Sequence, residues 1–224
     1  MSRRISVIVP TLNEAQGIVG CLDGLASLRS RGHEVVVVDG GSDDGTAALA
    51  AKGADRVLAA PRGRASQMNA GAALAQGDVL LFLHADTRLP PQAESFVLGA
   101  LAARGWGRFD VRIGGRGALL RMVSAAMNLR SRLTGIATGD QALFVRRDLF
   151  ESVGGYAPIP VMEDIELSRR LRGRGPPACL RACVHTSARR WESRGVLRTI
   201  VLMWRLRLAY ALGVDPARLA ERYQ

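Results

Sequence analysis

The chain has 224 residues, of which 48% are hydrophobic, and this size and composition predict a folded globular protein with a substantial core. The apolar run near the N-terminus, residues 5–9, is too short for a signal peptide, so we expect a cytoplasmic protein. The net charge of +11 is concentrated in residues 113–224, which contain 19 basic and 9 acidic residues. Such a basic half favours nucleic acid, an anionic membrane or a phosphorylated substrate, although the preference for arginine can equally reflect genome composition.

The first half of the chain alternates apolar runs with segments of helical spacing. Strands are predicted at residues 5–9, 34–38 and 78–83, and helices at residues 15–28 and 65–76. Continuous apolar strands that alternate with helices are typical of a mainly parallel central sheet flanked by helices. The chain is therefore predicted to have an α/β fold.

The second half is less regular. A helix is predicted at residues 119–133, a strand at 142–145 and a helix at 164–171. No linker is long enough to separate two domains. We therefore expect one domain at residues 1–195, followed by a C-terminal helical extension at residues 196–224.

The extension begins with a strongly apolar segment at residues 196–212. This segment contains Arg198, Arg205 and Arg207, whose charges make a membrane-spanning helix unfavourable. Two arrangements remain open. The helix packs against the domain or a twin subunit, or it lies on an anionic membrane surface with Arg194, Arg198 and Arg205 on one face.

Polar residues follow each predicted strand of the first half. They are Thr11, Asn13 and Glu14 after the first strand, Asp39 after the second, and His84 and Asp86 after the third. In open parallel sheets, ligands bind outside the carboxyl ends of the strands, so these residues predict one ligand site. A dinucleotide-binding turn and a P-loop are excluded, because neither GxGxxG nor GxxxxGK[ST] has a match in the required place.

Four motifs, taken in chain order, resemble those of a known family. They are ISVIVPTLNE, VVVVDGGSDDGT, GRASQMNAGAALAQGDVLLFLHADTRLP and MEDIELSRRL. Together they resemble the motifs of family 2 glycosyltransferases, which have the GT-A fold, from residue 5 to near residue 195. FLHADTRLP and GDQALFVRRDLFESVGGY are more similar still to a small bacterial subgroup of stand-alone transferases, labelled as linked to arsenosugar biosynthesis or to radical-SAM and selenium gene clusters.

The resemblance implies a site for a UDP- or GDP-sugar at the strand exits. By position, the nucleotide contacts fall on six residues: Pro10, Thr11, Glu14, Asp39, Arg64 and Asp86. Asp39 can instead cap the following turn with Gly40 and Ser42. Arg64 begins a predicted helix, where the helix N-terminus and the guanidinium both favour a phosphate, and a solvated surface position is the alternative.

The resemblance also implies a divalent metal. The family usually carries Asp-x-Asp at the third strand exit, and here His84 replaces the first aspartate while Asp86 keeps the second position. Asp86 is thus the implied ligand for Mn²⁺ or Mg²⁺, and an imidazole nearby suits Mn²⁺ better. We expect His84 to contact the nucleotide or a neighbouring loop.

The remaining histidines carry weaker expectations. His185 lies in HTSARRW, where longer relatives carry a Gln-x-x-Arg-Trp-like motif, and it is a candidate second metal ligand, with a core position as the alternative. The glutamine is missing, so processive polysaccharide synthesis is not expected. His33 is predicted to lie in a surface loop.

The family's Glu-Asp pair falls on Glu163 and Asp164. Its aspartate is the general base, so the resemblance implies Asp164 as the base and inversion at the anomeric carbon. Glu163, together with Asp140 and Gln141 in TGDQALFVRRDLF, is assigned to the sugar or the acceptor. Capping of a helix N-terminus is the alternative for both acidic residues of the pair.

Two other functions fit part of the sequence. One is a non-catalytic basic protein that binds nucleic acid or an anionic membrane, and the other is a nucleotidyltransferase. Trp191 and Trp204 are nearly alone among the arginines of the basic half, so we expect no nucleic-acid partner. The prediction is therefore metal-dependent sugar transfer from a nucleotide sugar to an unidentified hydroxyl acceptor.

Overall fold

The computed structural model describes residues 3–115 and 117–223, apart from the side chains at positions 190, 194, 222 and 223. The strands are β1 (Ile5–Thr11), β2 (Glu34–Asp39), β3 (Arg56–Ala59), β4 (Val79–Phe82), β5 (Thr87–Arg88), β6 (Trp106–Ile113), β7 (Phe144–Arg146) and β8 (Ala178–Thr186). The helices are α1 (Ala15–Ser30), α2 (Thr46–Ala50), α3 (Arg64–Leu74), α4 (Ala93–Ala103), α5 (Ala118–Thr134), α6 (Arg147–Ser152), α7 (Glu163–Arg172), α8 (Arg189–Arg194), α9 (Val196–Ala211) and α10 (Pro216–Tyr223). A 3-10 turn, Gly139–Gln141, precedes β7.

The described strands form one sheet in the order β3-β2-β1-β4-β7-β6-β8-β5. β1 pairs in parallel with β2 and β4, β2 with β3, and β6 with β8. β7 is antiparallel to both β4 and β6, and β5 is antiparallel to β8. Since only β5 and β7 run against the other strands, the prediction of a mainly parallel sheet is confirmed.

Helices cover both faces of the sheet. Successive residues of each central strand point alternately into the two helical layers. Val7, Val37 and Leu81 point to the layer that contains α1 and α4. The residues next to them in sequence point to the layer that contains α3, α6 and α7; these are Ile8, Val36, Val38 and Leu80. Because both faces are buried, the central strands are apolar at nearly every position, which is why their sequences could be recognised.

All nine elements predicted from the sequence are present, and each end lies within two residues of its predicted position. The elements that were not predicted are β3, β5, β6, β8, α2, α4, α6, α8 and α10. β6 carries Arg108 and Asp110, which form a buried ion pair, and Asp110 also pairs with Arg132 of α5. A charged pair inside a strand removes the apolar run by which a buried strand is recognised.

The C-terminal helices pack on the rest of the chain. Leu206 of α9 is buried in a cluster with Ile165 of α7 and Leu219 of α10, and Leu202 and Tyr210 pack against the same cluster. The predicted face with Arg194, Arg198 and Arg205 lies partly outside the described residues, because the side chain at 194 is not described. Among the described residues, the helices are all too short or too polar to cross a membrane.

The predicted surface position of His33 is wrong. Its side chain is buried, the imidazole Nδ1 accepts a hydrogen bond from the Ile5 N–H at 3.1 Å, and Nε2 lies 3.0 Å from a carboxylate oxygen of Glu94. These contacts join the start of β1 to the loop before β2 and to α4. A single histidine in a polar loop carries no sequence signal for such pairing.

Candidate active site

The exits of β1 and β2 lie side by side, with Thr11 opposite Asp39. The Asp39 carboxylate accepts hydrogen bonds from the Gly41 N–H at 3.0 Å, from the Ser42 N–H at 2.8 Å and hydroxyl at 2.5 Å, and from the Thr11 hydroxyl at 3.1 Å. Burial alone would raise the pKa of Asp39, but these hydrogen bonds lower it below its ordinary value. Asp39 is thus a charged group that organises the following turn, with Gly41 in the place expected for Gly40.

Gln67 of α3 ties the same two strand exits together. Its buried side-chain amide donates to the carbonyl oxygens of Thr11 and Val38, both at 2.8 Å. Pro10 and Thr11 are themselves buried in β1. Gln67 therefore supports the two strand exits from inside the fold, and the nucleotide contacts of Pro10 and Thr11 stay predictions. Sequence reasoning missed Gln67, although it lies inside the motif GRASQMNAG.

A cavity of about 430 Å³ lies between the start of α1 and the exit of β4, a size found for small-molecule sites. Its polar lining includes Glu14, Asp86, Arg88, His185 and Arg189. Arg189 donates to both carboxylate oxygens of Glu14, at 2.9 and 2.8 Å, across the rim of the cavity. Arg189 was missed from the sequence, although the motif HTSARRW contains it.

Asp86 and His185 face the same cavity from β-strand ends that lie close together. One Asp86 oxygen is 3.3 Å from the Thr87 hydroxyl and 3.4 Å from the Thr186 hydroxyl. His185 lies opposite Arg88 in the β5–β8 pair and is exposed, so the alternative of a core histidine is wrong. Within residues 3–115 and 117–223, no three His, Cys, Asp or Glu side chains are grouped so as to hold a metal by themselves.

A second cluster of charged groups surrounds the start of α7. Glu163 is fully buried, and one of its oxygens lies 2.9 Å from Nε of Arg64, at the start of α3. The Asp164 carboxylate accepts a hydrogen bond at 2.8 Å from the N–H of Gly139, not from an N–H of its own helix. Burial raises the pKa of Glu163 to about 7 and also raises the pKa of Asp164, and Arg64 partly opposes both shifts.

His84 belongs to this second cluster. Its Nδ1 lies 3.4 Å from a carboxylate oxygen of Asp140, so it contacts a neighbouring loop, one of the two positions expected for it. A Cβ atom placed on Gly139 would be 2.4 Å from His84 Nε2 and 3.0 Å from an oxygen of Asp164, which shows how closely the three residues approach. Burial would lower the pKa of His84, but the hydrogen bond and charge of Asp140, with the charge of Asp164, raise it.

Asp140 and Gln141 differ in their exposure to solvent. The Asp140 side chain is 35% exposed at the edge of the cluster. Gln141 is completely buried, and its amide is engaged with the Thr138 N–H at 3.3 Å and with Asn128 at 3.3 Å. Gln141 therefore supports the loop, and the predicted sugar or acceptor contact is open to Asp140.

Three non-glycine residues with positive φ lie next to the candidate site residues. Asn13 (φ 54°) precedes Glu14, Ala142 (φ 46°) follows Gln141, and Met162 (φ 69°) precedes Glu163. Such conformations cost on the order of 1–3 kcal/mol each and cluster at functional sites. Nothing in a single sequence signals an alanine or a methionine in this conformation.

Solved structures share this architecture. A mannosyltransferase from Pyrobaculum calidifontis, in complex with GDP-Man and Mn²⁺, aligns with a TM-score of 0.66 at 23% identity and covers 99% of this chain and 65% of that one. Glucosyl-3-phosphoglycerate synthase from Mycobacterium tuberculosis, in complex with Mg²⁺ and UDP, aligns with a TM-score of 0.63 at 25% identity over 82% of this chain and 70% of that one. The chain therefore has the GT-A fold.

The family follows from sequence comparison. The model of glycosyl transferase family 2 matches residues 6–149, and the chain belongs to that family. A PGL/p-HBAD biosynthesis glycosyltransferase from Mycobacterium bovis is 33% identical over 162 residues, which cover 67% of this chain and 62% of the relative. The chain thus spans less than two thirds of the length of this relative.

Proposed function

We propose that the protein transfers a sugar from a UDP- or GDP-sugar to an acceptor hydroxyl, with inversion and with Asp164 as the general base. The observation that carries this proposal is that acidic residues at one edge of the sheet occupy two different environments. Asp86 faces a cavity of small-molecule size, whereas Asp164 is half-buried close to His84 and its pKa is raised. The relatives solved with GDP-Man and Mn²⁺, and with Mg²⁺ and UDP, support the donor class.

Asp164 has the properties that a base for a hydroxyl requires. A carboxylate with a raised pKa takes a proton more readily than an ordinary aspartate, provided that it is ionised when the acceptor arrives. The hydroxyl proton passes to the Asp164 carboxylate as the hydroxyl oxygen bonds to the anomeric carbon. The bond from that carbon to the diphosphate breaks, and a nucleoside diphosphate leaves. The Gly139 N–H holds the carboxylate in place.

The residues around the cavity suit a divalent ion held jointly with the donor. Asp86 supplies a carboxylate and His185 an exposed imidazole to the same cavity, and both are ligands that Mn²⁺ accepts. The described groups are too few to form a complete cage, which agrees with the way Mg²⁺ and similar ions are held by one or two carboxylates plus substrate phosphates. When bound, such an ion would stabilise the charge that develops on the diphosphate.

Arg64 contacts a carboxylate in this structure, and its contact with a phosphate of the donor stays a prediction. It is paired with buried Glu163, so its charge is already directed at the α7 cluster. Asp140, which is partly exposed and lies 3.4 Å from His84, is the residue that we assign to the acceptor or the sugar. Glu163 supports Arg64 and does not itself reach the solvent.

We also propose membership of the stand-alone subgroup labelled as arsenosugar- or selenium-associated. FLHADTRLP and GDQALFVRRDLFESVGGY support this assignment, and the structure brings His84 of the first motif against Asp140 of the second. Substitution of His84 by Asp would place two carboxylates at this contact, so the histidine and the GDQ turn form a matched pair.

The experiment is a thermal-shift and titration screen of nucleoside diphosphates and nucleotide sugars, with and without Mn²⁺. We expect one base, uracil or guanine, to stabilise the protein and the metal to strengthen that binding. Asp86→Ala should abolish the metal-dependent part, whereas Asp23→Ala, which changes an exposed residue of α1, should not. Unchanged titration by Asp86→Ala would contradict the proposed site. Release of pyrophosphate from a nucleoside triphosphate would favour nucleotidyl transfer instead.

A further inference from the structure

α5 and α9 present apolar side chains to the solvent. Within the described part of the chain, every large apolar side chain that is more than half exposed lies on one of these helices or on the residue that caps α9. They are Met122, Leu129 and Leu133 of α5, and Leu197, Val201, Trp204, Leu208 and Leu212 of α9 and its cap. Single exposed apolar residues are common, but a concentration of this kind marks an interaction surface.

The exposed residues of α9 form one stripe along the helix. Leu197, Val201, Trp204, Leu208 and Leu212 are spaced by three or four positions, so they lie on the same side. The opposite side holds Leu206, which is buried against α7 and α10. α9 therefore has two apolar faces, and the fold covers only one of them.

The charge of the two helices is of one sign. Residues 118–134 and 196–211 contain six arginines and no aspartate or glutamate. Arg198 and Arg205 are exposed beside the stripe of α9, and Arg121 is exposed on α5. The two helices lie near each other, because Leu120, Val123 and Met127 of α5 belong to the same small apolar cluster as Val196 and Ile200 of α9.

The apolar stripe with arginines beside it fits a lipid surface better than it fits a second copy of the chain. In a symmetric dimer the same face meets itself, so the arginines of one copy would approach those of the other without acidic partners from these helices. An anionic lipid surface instead offers an apolar interior to the stripe and negative headgroups to the arginines beside it. Trp204, which is 75% exposed, has the amphipathic ring that favours the boundary between headgroups and acyl chains.

We propose that α5 and α9 form a docking surface for an anionic membrane, on which α9 lies flat over its 16 residues. The inner side of α9 shares a cluster with Met162 and Ile165, the residues on either side of the Glu163–Asp164 pair. Docking therefore holds the segment with Asp164 about one helix thickness, roughly 10 Å, from the lipid. The proposal does not depend on the enzymatic reaction and can be tested without a substrate.

The experiment is co-flotation of the full chain with vesicles of phosphatidylcholine alone or of phosphatidylcholine with phosphatidylglycerol. We expect binding only to the anionic vesicles, weakened by added salt, with a blue shift of tryptophan emission. Arg198→Gln combined with Arg205→Gln should weaken binding about thirtyfold, since each cation near the surface contributes about 1 kcal/mol. Val201→Ser combined with Leu208→Ser should weaken it at least as much.

The matched control is Val19→Ser, which removes an exposed apolar side chain from α1, far from this surface in sequence, and should leave binding unchanged. The melting temperature of each variant, measured without vesicles, shows that lost binding is not lost folding. Absence of flotation by the wild-type chain, or flotation unaffected by both double variants, would overturn the proposal. So would a dimer that Leu208→Ser converts to a monomer in the absence of lipid.

Discussion

Asp39 and Asp164 are aspartates at the same edge of the sheet, yet their environments shift the pKa in opposite directions. Asp39 is almost fully buried and accepts four hydrogen bonds from hydroxyl and N–H groups of β1 and the following turn. Asp164 is half-buried, accepts a hydrogen bond from the Gly139 N–H and lies next to the buried carboxylate of Glu163. Hydrogen-bond donors lower the pKa of Asp39, whereas burial raises the pKa of Asp164.

The difference shows that burial alone does not decide whether a carboxylate keeps its charge. A carboxylate surrounded by donors remains ionised and suits recognition or the ordering of a loop. A carboxylate buried with few donors accepts a proton more readily and suits acid–base chemistry. In the proposed function, Asp39 of the first kind lies in the nucleotide half of the site and Asp164 of the second kind in the acceptor half, and variants can separate the two halves.

The largest effect is expected for Asp164→Asn. The amide keeps the shape of the side chain but cannot accept the proton, so transfer should fall by roughly 10²- to 10⁴-fold, with donor affinity little changed. Single-turnover rates and donor titration measure the two quantities separately. Asp148→Asn, at an exposed aspartate of α6, is the matched control. Near-normal turnover of Asp164→Asn would contradict its role as the general base and leave it a structural role.

Asp39→Asn should affect the part of the site at the exits of β1 and β2. The amide nitrogen cannot accept from the Gly41 and Ser42 N–H groups, so we expect a loss of about 2–4 kcal/mol in unfolding free energy and weaker donor binding. Denaturant unfolding and donor titration check this. Asp43→Asn changes an exposed residue of the same turn and should be near neutral. Equal effects of both variants would argue against the network around Asp39.

Glu163→Gln should change the pH dependence of stability. Because burial raises the pKa of Glu163 to about 7, the folded state binds its proton more tightly than the unfolded state, and stability falls as pH rises from about 4.5 to 7. The variant should remove a decline on the order of 1–3 kcal/mol across that window. Asp39, whose pKa is lowered, contributes in the opposite sense, with stability lost as pH falls below about 4.

Unfolding measured across this pH range checks the Glu163 prediction, with Glu151→Gln as an exposed control. A slope between pH 4.5 and 7 that is identical in wild type and Glu163→Gln would show that the protonation of Glu163 is not linked to folding.

The smallest effect is expected for Glu14→Gln. Glu14 forms an ion pair with Arg189 at the rim of the cavity, and the Arg189 side chain is about half exposed. Because exposed ion pairs contribute little, the unfolding free energy should change by less than about 0.5 kcal/mol. Arg189→Gln should behave alike. A loss of several kcal/mol in either variant would mean that this pair holds α1 and α8 together, and donor titration of the same variants would show whether Glu14 contacts the nucleotide.

The sequence allowed much of the fold to be predicted, for a reason visible in particular residues. The runs at 34–38 and 78–83 are apolar because both faces of the central strands are buried, and the four motifs place the strand exits around one site. β6 was not predicted, because Arg108 and Asp110 interrupt its apolar run, and Asp110 also pairs with Arg132 of α5. That contact exists only in the folded chain.

The candidate site was predicted less completely than the fold, again for physical reasons. The ion pair between Arg64 and Glu163 joins residues far apart in sequence, so Arg64 was expected at a phosphate and not at a carboxylate. Gln141 was assigned to the sugar or the acceptor by the resemblance, but its amide supports the loop. Arg189 and Gln67 contact groups that only the sheet brings near them. Pairing across the fold, not residue type, decides these positions.

The division of the acidic groups between two halves can be tested by locating the metal. Crystals grown with Mn²⁺ and the preferred nucleoside diphosphate would give an anomalous difference signal at the ion. We expect this signal at the Asp86 carboxylate, in the cavity shared with Glu14 and His185, with the diphosphate on its other side. A signal between Glu163 and Asp164, or one that persists unchanged in Asp86→Ala, would contradict it.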